Sequence, residues 1–346
     1  MDNSKRVKWI DVFRFLGIWA IYIGHLGPAA GKLYPFVFIY HVPLFFFAAG
    51  FFFPHLNQSM VDFVKKQTLR LILPYAFFSL IALTVFTLTN NWGWPDVKFS
   101  AVTFLLGIRN QVQAGSLWFI PCLYIIVVFN FIVYKLFKTK YACMLFALLA
   151  LVVSQYGLGF NPLVTPSWIF NIDSALYYYS FYMLGAVLFP ILLRTGSLQE
   201  YSLLEWFLTL LAIGITLMCY FHGSARIYDG LQISMNGIER YQITQTALNT
   251  LIILTVIYSN VFFAKLFSEV VLFGKLGRET LILCGTENVL KLVLPQILVM
   301  IGLTLSIPNS WVAVIFSLLC LTVSQYTVIP FLNLYFPKLV GKWRFS

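Results

Sequence analysis

The chain has 346 residues, of which 60% are hydrophobic and only 10% charged, and its mean hydropathy is +0.85. Soluble domains carry about 25% charged residues, so this chain cannot cover a water-facing surface. The formal net charge of +11 would suggest nucleic-acid binding in a soluble protein. In a membrane protein it first indicates which connectors face the cytoplasm, and we therefore expect no nucleic-acid partner.

Apolar segments follow one another along the whole chain with short connectors. A bilayer core needs about 20 apolar residues per helix. By that measure we predict about ten spans, at residues 10–27, 36–53, 71–89, 117–136, 141–158, 174–193, 203–221, 244–264, 281–303 and 310–335. The runs are continuous and do not alternate, which favours helices over a membrane barrel. We expect an all-α polytopic bundle that forms one membrane domain over 1–346, without an appended soluble domain.

Lys and Arg residues are distributed unevenly between the connectors. If the N-terminus is cytoplasmic, 16 of the 23 fall on the inner side and 5 on the outer side, while Arg14 and Lys291 lie within spans. Cytoplasmic connectors carry such an excess, so both termini are predicted to be cytoplasmic. The longest outer connectors, 90–116 and 222–243, are predicted loops that either bind something outside the membrane or only join helices.

The first span contains Asp11, Arg14 and His25, although an ionisable residue in a span costs about 2.5–3.5 kcal/mol. Eleven positions separate Arg14 from His25, which places both side chains on one helix face about 16 Å apart along the axis. Asp11 precedes Arg14 by three residues, a spacing that permits an ion pair. In one interpretation Arg14 reaches the headgroups and His25 caps the helix. In the other, a cation and a titratable base line a polar path.

Other polar residues near or within spans are further candidates. His41 precedes Pro43, which removes a backbone donor from the second span. A cationic cluster before the third span either marks topology and contacts anionic lipid or binds the phosphates of a ligand. That cluster consists of Lys65, Lys66 and Arg70.

Glu287 and Lys291 lie four residues apart in the ninth span, in the order that favours a helical ion pair. They either neutralise one another or line a cavity. The chain shows no glycine-rich nucleotide loop, no metal-ligand cluster and no serine-nucleophile elbow, so we expect no metal.

Several short motifs follow one another in a fixed order. They comprise Arg14 with His25, the HVPLFF sequence of 41–46 followed by Gly50, Lys65 and Lys66 with Arg70, Leu71 and Pro74, Leu117-Trp118-Phe119 with Leu123-Tyr124, Tyr178 to Gly185, and Leu276-Gly277-Arg278. Each motif alone is weak. The ordered set resembles the acyltransferase 3 family of integral membrane acyltransferases, and it makes Trp118 a further candidate site residue.

The resemblance implies a ten-helix enzyme that moves an acyl group, commonly acetyl, from cytoplasmic acyl-CoA to a hydroxyl of a carbohydrate or related acceptor. The expected function is O-acetylation of a cell-surface or lipid-linked carbohydrate of the capsule, exopolysaccharide or O-antigen type. The family's paired arginine and histidine correspond to Arg14 and His25, which are therefore the expected catalytic residues. The chain departs from the family pattern at Thr280, where Ser is common, and at Glu287, where His is common.

The hypothetical mechanism places the phosphates of acetyl-CoA, the acyl donor, near Lys65, Lys66 and Arg70, and its pantetheine arm past Arg14. His25 acts as general base on the acceptor hydroxyl or carries the acyl group transiently, and the acceptor approaches from the outer side. Expected partners are acyl-CoA, the carbohydrate acceptor, membrane lipids and polysaccharide-assembly proteins. The expected location is the inner or plasma membrane of the cell.

Three alternatives remain open at this stage. The first is an acyltransferase with a non-glycan acceptor, such as an antibiotic or a lipid. The second is a secondary transporter, because intramembrane Arg, His, Glu and Lys also suit a permeation path, although no inverted repeat is evident. The third is a non-catalytic scaffold for polysaccharide assembly.

Overall fold

The computed structural model describes residues 6–54, 56–111, 115–194, 198–221, 239–300, 302, 307 and 309–343, without the side chains of 239–245. All regular elements among these residues are helical, and none of them is a strand. The prediction of an all-α polytopic protein is therefore confirmed.

The α-helices are numbered in chain order. They are α1 (Lys8–Gly24), α2 (Leu33–Gly50), α3 (Met60–Gln67), α4 (Leu73–Asn90), α5 (Trp94–Leu106), α6 (Phe119–Phe137), α7 (Lys140–Val152), α8 (Ile172–Arg194), α9 (Leu203–Phe221), α10 (Glu239–Leu266), α11 (Val271–Arg278), α12 (Thr280–Met300), α13 (Ser310–Tyr326) and α14 (Val328–Tyr335). A π-helical segment, Thr68–Ile72, joins α3 to α4, and a second one, Val153–Gly157, extends α7. Short 3₁₀ turns lie at Gly27–Ala30, Gly115–Trp118, Ile169–Asn171 and Leu198–Glu200.

Nine helical segments in the described part of the chain are long and apolar enough to cross a membrane. They are Leu33–Gly50, Met60–Asn90, Gly115–Phe137, Lys140–Gly157, Ile169–Arg194, Leu203–Phe221, Thr246–Leu266, Thr280–Met300 and Ser310–Tyr335. These correspond to nine of the ten predicted spans. The first predicted span corresponds to α1, whose 17 residues lie at the lower end of the length that crosses a bilayer.

Three element boundaries differ from the sequence prediction. The connector 90–116, predicted to be a loop, contains α5, which ends at Leu106 because the next residue, Gly107, has a left-handed φ of 65°. The helix predicted to begin at residue 71 begins at Met60. The last predicted span is interrupted at Thr327, between α13 and α14. Most of the second predicted loop, residues 222–238, lies outside the described residues.

The chain divides into two compact units, each assembled from separate stretches of sequence. Unit 1 comprises Met1–Ala48, Leu188–Thr280 and Ser306–Leu321. Unit 2 comprises Ala49–Val187, Leu281–Leu305 and Thr322–Ser346. The chain passes from one unit to the other within α2, α8, α12 and α13.

Unit 1 is built around α1, which packs against α10 and α11. The side chains that α1 contributes to the core include Phe13, Phe15 and Ile18, none of which is exposed. Trp19 donates a hydrogen bond from Nε1 to Ser317 Oγ of α13 at 2.9 Å. Because a hydrocarbon environment offers no competing water, such a bond fixes one helix against another.

In unit 2, α6 packs against α7 and against the π-helical segment Thr68–Ile72. Gly50 lies so close to the backbone of Tyr182 that a Cβ at this position would overlap with the Tyr182 carbonyl oxygen. Glycine therefore permits close helix packing at the end of the second predicted span. Tyr179 donates a hydrogen bond to Asn130 Oδ1 at 3.0 Å, so the amide oxygen of a fully buried side chain has a donor.

Candidate active site

Arg14 of α1 lies on the side of the helix that faces the start of α12. Its Nη2 donates a hydrogen bond to Thr280 Oγ1 at 2.6 Å, and both residues belong to unit 1. Arg14 is only partly exposed, whereas Thr280 is 5% exposed. The guanidinium is thus held by a neutral hydroxyl from another helix. Arg14 therefore makes a contact within the protein that the headgroup interpretation does not include.

The ion pair that the spacing of Asp11 and Arg14 permits is not formed. Asp11 instead accepts two hydrogen bonds from Arg6, from Nε at 2.7 Å and from Nη2 at 2.8 Å. Arg6 precedes α1 and reaches the buried carboxylate in the first turn of the helix, which gives a bidentate geometry. The hydrogen bond to Asp11 raises the pKa of the Arg6 guanidinium above its ordinary value.

The Leu276-Gly277-Arg278 motif lies at the end of α11, directly against α1. A Cβ at Gly277 would overlap with the carbonyl oxygen of Asp11, so only glycine permits this approach of the two backbones. The close contact brings the chain that follows α11, including Thr280, alongside the polar part of α1. The motif therefore has a packing role that positions the partner of Arg14.

His25 occupies the C-cap of α1, and its imidazole lies next to that of His41 on α2. The two ring centroids are 6.5 Å apart and the rings are nearly perpendicular. Phe38 packs against both rings, at 6.2 Å from His25 and 4.8 Å from His41. His25 is partly exposed, whereas His41 is 3% exposed. Two candidates from separate predicted spans thus form one histidine pair within unit 1.

The tautomer of His41 follows from its hydrogen bond. Nδ1 of His41 lies 2.7 Å from the carbonyl oxygen of Val37, and a carbonyl oxygen can only accept, so Nδ1 carries the proton. In a neutral imidazole the lone pair then lies on Nε2. A ring held in this way is suited to accept a proton at a defined atom.

The cationic cluster lies in unit 2 on one continuous helical segment. Lys65 and Arg70 are exposed and Lys66 is partly exposed. Lys65 and Lys66 end α3, whereas Arg70 lies in the π-helical segment, where Thr68 Oγ1 contacts Tyr124 Oη at 3.1 Å. π-helical turns inside α-helices often occur at functional sites, and exposed cations are chemically able to bind phosphate oxygens.

Glu287 and Lys291 form the predicted ion pair inside unit 2. Lys291 Nζ lies 2.6 Å from Glu287 Oε1, and the Glu287 side chain has no exposed surface. Ser116 Oγ lies 2.9 Å from Glu287 Oε2 and equally 2.9 Å from the carbonyl oxygen of Cys284. Of the two interpretations, the structure therefore shows mutual neutralisation, supported by a hydroxyl of the turn Gly115–Trp118.

Comparison with known proteins gives one family. The profile described as "Acyltransferase domain", that of acyltransferase 3, matches residues 7–329, nearly the whole chain. The chain belongs to the acyltransferase 3 family. It is therefore a multi-pass membrane acyltransferase. Neither the search of curated proteins nor the search of solved structures found a significant match.

The two residues that depart from the acyltransferase 3 pattern, Thr280 and Glu287, both have polar partners in the structure. Thr280 retains the hydroxyl that Ser would supply and places it against Arg14. Glu287 supplies a carboxylate and is paired with Lys291. Among the described residues, the histidine that lies next to His25 is instead His41 of α2.

Trp118, a candidate from an acyltransferase 3 motif, is buried and lies against Arg109, a residue of the connector 90–116. The guanidinium carbon of Arg109 lies 4.9 Å from the centroid of the Trp118 ring, and Arg109 Nη2 donates to the carbonyl oxygen of Pro162 at 2.9 Å. The Arg109 backbone N–H also donates to Asn171 Oδ1 at 2.7 Å. These contacts connect Trp118, through Arg109, to Pro162 and Asn171, and the sequence alone gave no signal for them.

No group of three or more His, Cys, Asp or Glu side chains that could hold a metal ion occurs in the part of the chain that the structure describes. The candidate side chains described above in unit 1 are an arginine, a threonine and two histidines. They are able to bind an anionic oxygen and to accept or donate a proton.

Proposed function

We propose that this acyltransferase moves an acetyl group from cytoplasmic acetyl-CoA to a hydroxyl of a cell-surface or lipid-linked carbohydrate. The observation that carries the proposal is the pairing of His25 with His41 at the end of the helix that also bears Arg14. A hydroxyl attacks a thioester effectively only when a base accepts its proton. Family membership supports acyl transfer, whereas the acetyl donor and the carbohydrate acceptor are part of the proposal.

In the proposed reaction the acceptor hydroxyl loses its proton to an imidazole and its oxygen attacks the thioester carbonyl carbon. A C–O bond forms, the C–S bond breaks, and the leaving thiolate takes up a proton to give free CoA. His25, the more exposed imidazole, is the proposed base, and His41 offers a second ring for the proton. In the alternative route the acyl group rests on His25 before it passes to the acceptor.

Arg14 and the cationic cluster have proposed roles in donor binding. Arg14 meets polar oxygen atoms of the donor, and Lys65, Lys66 and Arg70 bind its phosphates. The carbohydrate is proposed to approach from the outer side of an inner or plasma membrane. Membrane lipids and polysaccharide-assembly proteins are the further proposed partners.

The test of the mechanism is acetyl transfer by purified His25→Gln protein. A histidine base contributes about 10²–10⁴-fold to a rate, so transfer should fall by that factor. Glutamine retains hydrogen bonding and approximate size, so the apparent Tm in detergent should remain close to that of the wild-type protein. CoA release from acetyl-CoA in the presence of candidate acceptors measures the rate.

Near wild-type transfer by His25→Gln would remove His25 from the mechanism. The acceptor is tested separately, by comparing O-acetyl signals in the NMR spectra of surface glycan from cells with and without the chain. An unchanged glycan together with measurable CoA release would leave acyl transfer standing and overturn the carbohydrate acceptor.

A further inference from the structure

Arg14 has an incomplete set of partners for a guanidinium inside a span. A guanidinium carries several N–H donors, but among the described residues Thr280 is its one hydrogen-bond partner, through Nη2. Arg14 also retains partial exposure, unlike Phe13 and Phe15 on either side of it, which are fully buried. The remaining N–H donors of Arg14 therefore have no protein acceptor among the described residues.

Among the described residues no carboxylate forms an ion pair with Arg14, although Asp11 and Glu279 are near enough to act on its charge. Asp11, the nearest acid along α1, is occupied by the bidentate contact with Arg6. A cation inside a span is expensive, so it is retained where it meets a partner or lines a functional path. An anionic or strongly polar oxygen of a ligand supplies such a partner, since arginine donors match oxyanions in pairs.

Thr280 is well suited to fix the direction of the Arg14 side chain. It is the first residue of α12, and the close contact of Gly277 with Asp11 docks the preceding chain on α1. Its side chain is β-branched and so has few rotamers, which restricts the position of the hydroxyl. The 2.6 Å bond therefore joins Arg14 to an anchor on a separate element.

We infer that Thr280 is a positioning residue for the acyl donor: it holds Arg14 so that the free edge of the guanidinium meets a polar or anionic oxygen of acyl-CoA. This inference rests on the proposed function. Arg14 and His25 lie about 16 Å apart along α1. The pantetheine arm of CoA is an extended chain of comparable length, so Arg14 contacts the donor at a distance from the thioester carbon. Thr280 thus governs donor affinity more than the chemical step.

The experiment compares Thr280→Val with Thr280→Ser. Valine has the shape of threonine without the hydroxyl, and serine restores the hydroxyl. Thr280→Val should raise KM for acetyl-CoA about tenfold, the effect of a lost hydrogen bond to a charged group, and should change kcat by less than about twofold. Thr280→Ser should remain close to the wild-type protein. A loss of kcat at unchanged KM, or an equal loss in both variants, would overturn the inference.

Direct binding of CoA, measured by calorimetry on the purified protein, separates positioning from a general structural effect. Thr286→Val is the matched control, because Thr286 is also a buried threonine of α12 and, among the described residues, its hydroxyl donates to the carbonyl oxygen of Ile282 in its own helix. Its affinity for CoA should be unchanged. Thr280→Val should weaken CoA binding about tenfold in the wild-type background and by less than about twofold when Arg14 is already Gln.

The outcomes distinguish this inference from the function on which it rests. If the wild-type protein does not bind CoA, both the proposed donor and the inference fail. If the wild-type protein binds CoA and Thr280→Val binds it equally well, only the inference fails. Additive effects of Thr280→Val and Arg14→Gln would likewise show that Thr280 does not act through Arg14.

Discussion

Glu287 and Lys291 place two opposite charges within one helix of a membrane-spanning segment. Their contact at 2.6 Å leaves the carboxylate without exposed surface and the ammonium side chain 11% exposed. A buried ion pair is not necessarily stabilising, because desolvation of both charges opposes their attraction. Removing one member is far more costly than removing both, since it leaves a buried charge without its counterion.

We predict that Lys291→Met lowers the stability of the protein by about 3–5 kcal/mol and that Glu287→Gln combined with Lys291→Met restores most of the loss. Glutamine keeps an oxygen that accepts a hydrogen bond from Ser116, so the double variant leaves no charge and no unmatched hydroxyl. The apparent Tm of the three proteins in one detergent measures this. Lys275→Met, on an exposed residue of α11, is the control and should change stability by less than about 0.5 kcal/mol.

A double variant as unstable as Lys291→Met would contradict the ion pair as the source of the loss. Acetyl transfer by the double variant adds a second observation. A stable but inactive protein would give Glu287 a role in the reaction, whereas a stable and active protein would make the pair purely structural.

At the scale of single residues, sequence spacing predicted contacts within a helix better than contacts between helices. The pair of Glu287 and Lys291 was predicted because residues four apart share a helix face. The spacing of Asp11 and Arg14 was equally suitable, but Arg6 in the preceding segment supplied a bidentate contact instead. Thr280, which lies 266 positions from Arg14, and His41, which faces His25, depend on helix packing and could not be assigned by spacing.

At the scale of elements, the segment Met60–Asn90 combines the cationic cluster with a membrane span. Its 31 residues run from α3 through the π-helical segment into α4. The three cations therefore have a helical backbone, so the chain at Lys65, Lys66 and Arg70 is ordered before a ligand binds. Preorganised cations lose less conformational entropy on binding, which favours a specific site over loose attraction to lipid.

We predict that replacing Lys65, Lys66 and Arg70 together by Gln raises KM for acetyl-CoA more than it lowers kcat. Charge-assisted hydrogen bonds to phosphate are stronger than neutral ones, and all three cations are at least partly exposed. Steady-state kinetics of the purified triple variant, with acetyl-CoA as the varied substrate, measures the two parameters separately.

The control for the cationic cluster replaces Lys138 and Lys140 by Gln. These lysines are exposed, belong to the same unit and lie on the same predicted side of the membrane. KM should be unaffected in this variant. If the triple variant is inserted normally and its dependence on acetyl-CoA equals that of the control, the cluster is only a topology signal.

The element boundaries that were predicted wrongly had readable local signals. Ser59 caps α3, accepting a hydrogen bond from the backbone N–H of Asp62 at 3.1 Å, and a serine three residues before an acid is typical of a helix start. At α5, Asp96 accepts from the backbone N–H of Gly93 at 3.2 Å. A hydropathy window detects the length of an apolar segment but gives no signal for a polar residue that begins a helix. The membrane spans could therefore be located from the sequence, whereas the polar residues that begin α3 and α5 were missed.

At the scale of the whole molecule, the length of the apolar segments predicts the number of spans. The orientation in the membrane is predicted from the distribution of Lys and Arg between the connectors. In the part of the chain that the structure describes, nine long apolar helical segments and the 17-residue α1 account for all ten predicted spans. The two compact units could not be predicted, because each combines stretches from distant parts of the chain. The side on which each connector lies stays a prediction, and it rests on the 16-to-5 distribution of Lys and Arg.

We predict that both termini face the cytoplasm. A fluorescent reporter that matures only in the cytoplasm should be active when fused after Ser346, and a phosphatase that folds only outside should be inactive there. Fusions after Asn91, which follows α4, should behave in the opposite way, because the first three spans place that residue outside. Since short cytoplasmic connectors retain Lys and Arg, the two fusion points should differ strongly. Phosphatase activity at Ser346 equal to that at Asn91 would overturn the topology and, with it, the cytoplasmic position proposed for Lys65, Lys66 and Arg70.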